Sequence, residues 1–185
     1  MPSFEEAYKL LVKAEYSNNP NNFLHINKEE DGFTLGGIYS KWHPKAIDWS
    51  FITRVYEMNR RDIKKTSQCL YWDVPTQSQV FTAFKQKYWI KHKLGQIHSQ
   101  AIANKLLLAI VNVDIDAVKY IQRIVGEDDD GIIGQITLDA INSESEYFVL
   151  KEFNDAMLKH YDEVIENNPK LAFNKNGWEA RLEIC

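Results

Sequence analysis

The sequence predicts a mostly helical α+β fold, a helical bundle with one small β-hairpin after the first helix. Two observations carry this. Apolar residues recur at helical spacing through most of the 185 residues. One stretch, Phe23 to Tyr39, breaks that period and sets Gly32, Gly36 and Gly37 among Phe33, Thr34, Leu35 and Ile38, a pattern of short strands and tight turns.

The elements follow in order. Ser3 with Glu6 forms a capping box that opens an apolar-periodic helix through Tyr16, and Asn18-Asn19-Pro20-Asn21-Asn22 stops it. The hairpin comes next. Helical spacing resumes near Asp48, runs to about Met58, and continues in a further piece to about Lys65. Thr76 and Gln79 read as the capping box of a helix carrying Val80, Phe81, Phe84, Tyr88 and Trp89, which Gly95 ends. Helices are then expected over Ser99 to Val111, Asp114 to Val125, Gln135 to Ile141, Ser145 to Glu166 and Asn176 to Ile184. Many helices with one small β element after the first is the layout of lysozyme-like folds.

Charge and cysteine content narrow the functional classes. A net charge of -4 speaks against a nucleic-acid protein, which needs a basic face to neutralise phosphates. Lys85, Lys87, Lys91 and Lys93 with His92 make a local basic run, read as a solvated helix face or one turned toward an anionic wall. Cys69 and Cys185 form neither a disulfide framework nor a zinc set, so the fold rests on its core. Asp128, Asp129 and Asp130 lack the alternating oxygen ligands and distal glutamate of a calcium loop. No cofactor and no metal is therefore expected. No stretch of eighteen apolar residues occurs, so no membrane insertion is expected. The first residues, Met1-Pro2-Ser3-Phe4-Glu5-Glu6, show neither a basic nor an apolar signal region. The expectation is a protein that is cytoplasmic as synthesised and needs a holin or other export system to reach an external wall.

Glu15 is the candidate of greatest chemical interest. On a helix turning about 100° per residue, Phe4, Tyr8, Leu11 and Glu15 lie within about 60° of one another. Glu15 thus ends the apolar stripe immediately before the chain leaves the helix. A carboxyl placed where core meets cleft can be kept protonated by partial burial, which a general acid requires. The alternative is a terminal helix carboxylate bent out to solvent, an arrangement that the helix dipole disfavours.

The ordered motifs resemble a known family. Glu15-Tyr16, Asn18-Asn19-Pro20 and Glu29-x-x-Gly32-x-Thr34-x-x-Gly37-Ile38 occur in the first half. Gln122 followed by Asp130-Gly131-x-x-Gly134-x-x-Thr137 occurs in the second, with Tyr88-Trp89 between and Gly177-Trp178 and Arg181 near the end. The set resembles the N-acetylmuramidase family (the glycoside hydrolase family 108 type) of phage endolysins and secretion-activator proteins, which carries a C-terminal peptidoglycan-binding-like half. Two glycines that follow the family glutamate are missing here, because Glu15 abuts Tyr16. An ungapped alignment on Tyr16 puts Lys13 at the catalytic place. Lys13 lies about 180° from Phe4 on the helix wheel, on the solvent side, so Glu15 is the better match.

The resemblance implies a lysozyme-like catalytic half over 1–95 and a helical peptidoglycan-binding-like half over 96–185, packed together as one unit. It implies peptidoglycan glycan strands as partner, and a glycosidase that cleaves between N-acetylmuramic acid and N-acetylglucosamine. Glu15 is its general acid, Glu29 its charge stabiliser or base, with Glu30 and Asp31 as adjacent competitors, and Thr34 positions a water or sugar hydroxyl. Tyr16, Tyr39, Trp42 and His43 are the candidates for lining sugar subsites. Thr34 equally suits a plain β-branched strand residue, and His43 before Pro44 a plain loop histidine. The alternatives to a hydrolase are a lytic transglycosylase and a non-catalytic peptidoglycan-binding or secretion-accessory protein.

Overall fold

The computed structural model describes residues 1–27 and 32–184. Among them are nine α-helices and one three-stranded antiparallel sheet, the mostly helical fold with a small β element that the periodicity predicts. Helix α1 spans Phe4–Tyr16, strands β1 to β3 span Leu24–Asn27, Gly32–Leu35 and Ile38–Tyr39, and helices α2 to α4 span Trp49–Met58, Ile63–Tyr71 and Val74–Phe84. Helices α5 to α9 follow at Gln100–Val113, Ile115–Ile124, Gln135–Ser143, Glu146–Asn167 and Lys175–Glu183. The chain forms two compact units, Leu11–Lys87 and Met1–Leu10 with Tyr88–Cys185.

In the first unit the sheet is held from below by α3. Buried Ser67 accepts the Leu24 N–H at 3.0 Å and donates to the Pro20 carbonyl at 2.5 Å. Tyr71 donates to the Asn18 side chain at 2.7 Å, and Gln68 to that of Asn21 at 2.8 Å. One helix face thus satisfies the polar groups of the Asn-rich stop after α1, groups that burial would otherwise leave costly. Phe23, Tyr16 and Tyr71 meet edge to face at 5.2 to 6.4 Å and close the core beneath it.

Helix α4 begins earlier than the Thr76/Gln79 reading expects. Asp73 is the cap, accepting from the Thr76 N–H at 2.9 Å, and Pro75 sits in the first turn where a missing N–H costs nothing. Thr76 is buried and donates to Asp73, while Gln79 accepts from the Asp48 N–H at 2.7 Å. The helix widens to π geometry over Lys85–Ile90 rather than running straight to Gly95. Helix α3 is also longer than expected, reaching Tyr71.

The second unit is built around α5, where every residue from Ile102 to Ile110 is buried. A helix apolar on all sides must be covered on all sides; α6 and α8 pack on it and on each other. Lys105, in the middle of this run, is 2% exposed and donates from Nζ to the Leu182 carbonyl. A cation suits the last turn of α9, where carbonyls lack intrahelical partners. Of the capping box at Ser3, one half forms. Ser3 Oγ accepts the Glu6 N–H at 3.3 Å, but the Ser3 N–H goes to Gln100 Oε1 at 2.6 Å. His92 is not part of a solvated basic face: it is 6% exposed, while Lys91 and Lys93 are exposed, and burial followed by the charge of Lys91 holds its pKa below 6.5.

The Asp130-Gly131-x-x-Gly134-x-x-Thr137 motif is a bracket around one buried side chain. Gln122, 1% exposed, donates from Nε2 to Asp130 Oδ1 at 2.8 Å, to the Ile132 carbonyl at 3.1 Å and to Thr137 Oγ1 at 3.4 Å. Its Oε1 accepts the Gly131 N–H at 2.8 Å. Gly131 takes φ +78, and a β-carbon there would stand 2.5 Å from Ile115 Cγ1. Gly134 has no such need: it caps α7 at φ -86.

Truncating Gln122 to Ala leaves the buried Gly131 N–H without its acceptor and opens a void, and we expect a loss of about 2–4 kcal/mol by urea denaturation. The amide of Gln122, then the Ile132 N–H, hold the Asp130 carboxyl below its ordinary 3.8. Its contribution is therefore complete above pH 3.8 and is lost as pH falls through the lowered value. The stability gap between wild type and Asp130→Asn should close over that range in an acid titration of the unfolding midpoint.

Candidate functional site

The site grows from a two-residue turn. Leu35 pairs with Ile38, leaving Gly36 and Gly37 to join β2 and β3 at φ +55 and +95. Positive φ at both central residues is the type I′ hairpin, whose twist matches that of its strands and which glycine enters without penalty. The register puts Leu24, Leu35 and Ile38 on one face, all buried at 0 to 1% exposure. His25, Thr34 and Tyr39 lie on the other face, opposite one another across the three strands.

Each glycine of the turn is approached too closely for a side chain. A β-carbon at Gly36 would stand 2.7 Å from the Phe23 ring and 3.0 Å from Val80 Cγ1. A β-carbon at Gly37 would stand 2.7 Å from Glu15 Oε2 and 2.9 Å from Glu15 Cγ. The first glycine therefore lets the turn sink into the core, and the second lets the Glu15 side chain lie across the backbone. Glu15 is half-buried there, on the last turn of α1, while Lys13 is exposed. The contact places Glu15 on the tip of the hairpin.

The other candidate residues divide. Thr34 is half-buried on the central strand and pairs with Tyr39. The Tyr39 ring crosses β2 over Gly32, where a β-carbon would stand 2.7 Å from Cε2, and is itself only 8% exposed. It offers its edge to Trp42, the ring centroids 5.3 Å apart and the planes at 85°. Trp42 is 75% exposed, so its ring is braced on one side and open on the other. Tyr16 does not line a subsite. At 4% exposure it is a core ring against Phe23 and Tyr71, with no face left on which a sugar could stack. Glu29, Glu30 and Asp31 lie outside the described residues.

A groove of about 570 Å³ runs beside the hairpin, bounded by Ile38, by Trp42 through Ala46, and by Thr82, Ala83, Gln86 and Lys87 of the opposite wall. Sequence reasoning reached Trp42 and His43 here and read Lys87 only as part of a basic run; its Nζ stands 2.7 Å from His43 Nδ1. The pair is 44 residues apart in the chain, so only tertiary folding joins it. No local pattern signals it. Among the described residues, no cluster of three or more His, Cys, Asp or Glu side chains is placed to hold a metal, and no helix is long and apolar enough to cross a membrane.

In the second unit, Trp178 stacks on Tyr161 at 5.1 Å and 25°, half-buried between α8 and α9. Tyr161 is in turn fixed by the Asn112 side chain at 2.9 Å. These contacts account for Trp178 as a packing residue of the C-terminal helix.

Comparison with known proteins gives similarities of two kinds, to a family and to solved structures. Residues 116–183 match the family described as Predicted Peptidoglycan domain, which takes in Gln122, the Asp130 to Thr137 bracket and Trp178. The solved structure of Brucella abortus SagA is similar over 97% of this chain and 89% of its own, with a TM-score of 0.64 and 19% sequence identity. At that identity the likeness is one of fold. No curated protein matches the chain. The match over 116–183 supports peptidoglycan as the material with which this chain associates.

Proposed function

We propose that this protein is an N-acetylmuramidase that hydrolyses the bond between N-acetylmuramic acid and N-acetylglucosamine in peptidoglycan, with Glu15 as general acid. The observation that carries the reading is the seat of Glu15: a half-buried carboxyl laid on Gly37, whose chain neighbour Ile38 lines a groove with an open tryptophan. Protonating a leaving glycosidic oxygen needs a carboxyl fixed in position and partly shielded from water. The rigid I′ turn supplies the first and the flanking core the second. The peptidoglycan-domain match over 116–183 supports the substrate class.

In this reading Glu15 delivers its proton to the glycosidic oxygen as the bond to the muramic acid carbon breaks. Glu29 then stabilises the oxocarbenium-like charge or takes a proton from the attacking water. Thr34, on the central strand, orients that water or a sugar hydroxyl. Trp42 stacks a sugar ring, His43 contacts it from the groove wall, and Tyr39 holds Trp42 in place. The water adds to the muramic acid carbon, and the proton it loses restores Glu15, either directly or by release from Glu29 to solvent and uptake by Glu15.

A second reading has one observation in its favour. The match to the peptidoglycan domain covers a segment that contains none of Glu15, Glu29 or Thr34. A protein that holds peptidoglycan without turnover, or assists secretion, would need no more than that segment. A lytic transglycosylase would need Glu15 alone and would leave an anhydro-sugar end.

Purified sacculi separate the three. Wild type should release soluble reducing muropeptides, and Glu15→Gln, folded by circular dichroism, should lose at least about 100-fold of that rate. Sacculus binding with no reducing ends from wild type would establish the non-catalytic reading, and anhydro products insensitive to Glu29→Gln the transglycosylase. The two glycines should part company. Gly36→Ala drives a methyl into Phe23 and Val80 and should cost about 2–4 kcal/mol in denaturant unfolding. Gly37→Ala meets only a flexible side chain, so it should cost about 1–2 kcal/mol for the strained φ, yet depress muropeptide release as strongly as losing Glu15.

A further inference from the structure

Helices of the second unit converge on a cavity of about 260 Å³ that the cleavage chemistry does not use. Asn112 comes from α5, Asp116 from the first turn of α6, His160 and Tyr161 from α8, and Trp178 from α9. The aromatic walls are fixed before any ligand arrives. Tyr161 is 2% exposed, with His160 set edge to face against it at 5.9 Å and Trp178 stacked on it at 5.1 Å. Tyr120 braces His160 as well, its hydroxyl 3.0 Å from Nδ1. The stack holds the indole in place, yet Trp178 is only half-buried, so part of its ring stays open.

The polar groups of the cavity are of the kind an acetamido sugar requires. Burial, against the opposing pull of the Asn112 hydrogen bond and the Arg181 charge, holds the Tyr161 pKa above its ordinary 10.0, so the phenol keeps its proton. Tyr161 accepts the Asn112 amide at 2.9 Å, which leaves that proton to be donated and the Asn112 carbonyl to accept. Asp116 is exposed and adds a carboxylate able to accept from two neighbouring hydroxyls. An N-acetylglucosamine ring answers this set. Its acetamido group carries one carbonyl and one N–H, its rim carries hydroxyls, and its C–H face suits an aromatic surface. We propose that the cavity binds one N-acetylglucosamine residue of the glycan strand, with Tyr161 and Asn112 on the acetamido group, Asp116 on ring hydroxyls and Trp178 against the apolar face. Muramic acid suits it less, because its lactyl carboxylate would meet like charge at Asp116. A volume of about 260 Å³ lies just below the roughly 300–1,000 Å³ of sites that enclose a whole small molecule, so one ring enters and not a length of strand. Asp116, His160, Tyr161 and Trp178 all fall inside the peptidoglycan-domain match over 116–183. This site rests on the peptidoglycan reading above but not on turnover at Glu15.

The test is N–H correlation NMR of the five tryptophan indoles on the full chain in the Glu15→Gln background. Chitotetraose, a chain of N-acetylglucosamine, is the probe, and maltotetraose, which lacks the acetamido group, is the control. The Trp178 signal, identified by its loss in Trp178→Phe, should move saturably with chitotetraose and stay still with maltotetraose. Asp116→Ala should weaken that titration about tenfold, the effect of one hydrogen bond to a charged group. Asp116→Asn, which keeps an oxygen acceptor, should lose less, and urea midpoints check that each variant is folded. A Trp178 signal unmoved at millimolar chitotetraose, or a titration indifferent to Asp116→Ala, would overturn the proposal. The readings fail separately. A chain that pellets with sacculi while chitotetraose leaves Trp178 unmoved sinks this site alone. Chitotetraose binding at Trp178 without pelleting sinks the peptidoglycan reading while the sugar site stands, and binding at Trp178 without reducing-end release from wild type sinks the hydrolase alone.

Discussion

A helix whose last turn carries a carboxylate meets a hairpin turn of two glycines closely because the turn has no side chains in the way, and the Glu15 unit is arranged around that meeting. The side chain of Glu15 lies where a β-carbon of residue 37 would have to be. The turn can accept it because both of its central residues sit at positive φ, which fixes their type for conformational reasons before any contact is considered. Gly36 turns the opposite flank of the same two residues into the core against Phe23 and Val80. The carboxylate is therefore positioned by the backbone of a tight turn whose flank is buried.

The sheet that bears this turn is too small to stand alone, since three short strands bury little apolar surface. Its stability is borrowed from α3, whose Ser67, Gln68 and Tyr71 answer the polar groups of the chain between α1 and β1. The same economy appears in the second unit. There a single buried glutamine organises a loop of acidic residues by donating to three acceptors and receiving one backbone N–H. In both places a polar side chain on a helix does what a strand ladder or a metal does elsewhere: it makes an irregular segment adopt one conformation.

Two kinds of group face the groove beside the hairpin, and their chemistry is complementary. Trp42 is open to solvent yet braced edge-on by Tyr39, so it offers apolar area without having to be ordered first. Lys87 is docked on an imidazole, so its charge also has an address. The peptidoglycan-domain match lies elsewhere in the chain, over 116–183.

What the sequence determined by itself is whatever depends on neighbours a few residues away. The helices from α5 to α9 fall within about two residues of their expected ends because apolar period, Ser99 and Ser145 caps, and the asparagine and glycine stops are all local. Glu15 could be placed on the core stripe, and Lys13 off it, for the same reason. Where two local signals compete, the reading slipped: Asp73 with Pro75 outbid Thr76 for the start of α4. What only the tertiary structure decided is what each side chain meets. Tyr16 and Trp42 are both aromatic residues near turns, and nothing local says that one is sealed beneath Phe23 while the other stands open. His92 sits in a run of lysines and is nevertheless interior. Lys87 and His43 are joined across 44 residues, and Gly37 acquires its second role only when α1 lays a glutamate on it. Period and turn chemistry act along the chain, whereas exclusion of water and the pairing of charge act across it, and the site is made by the second.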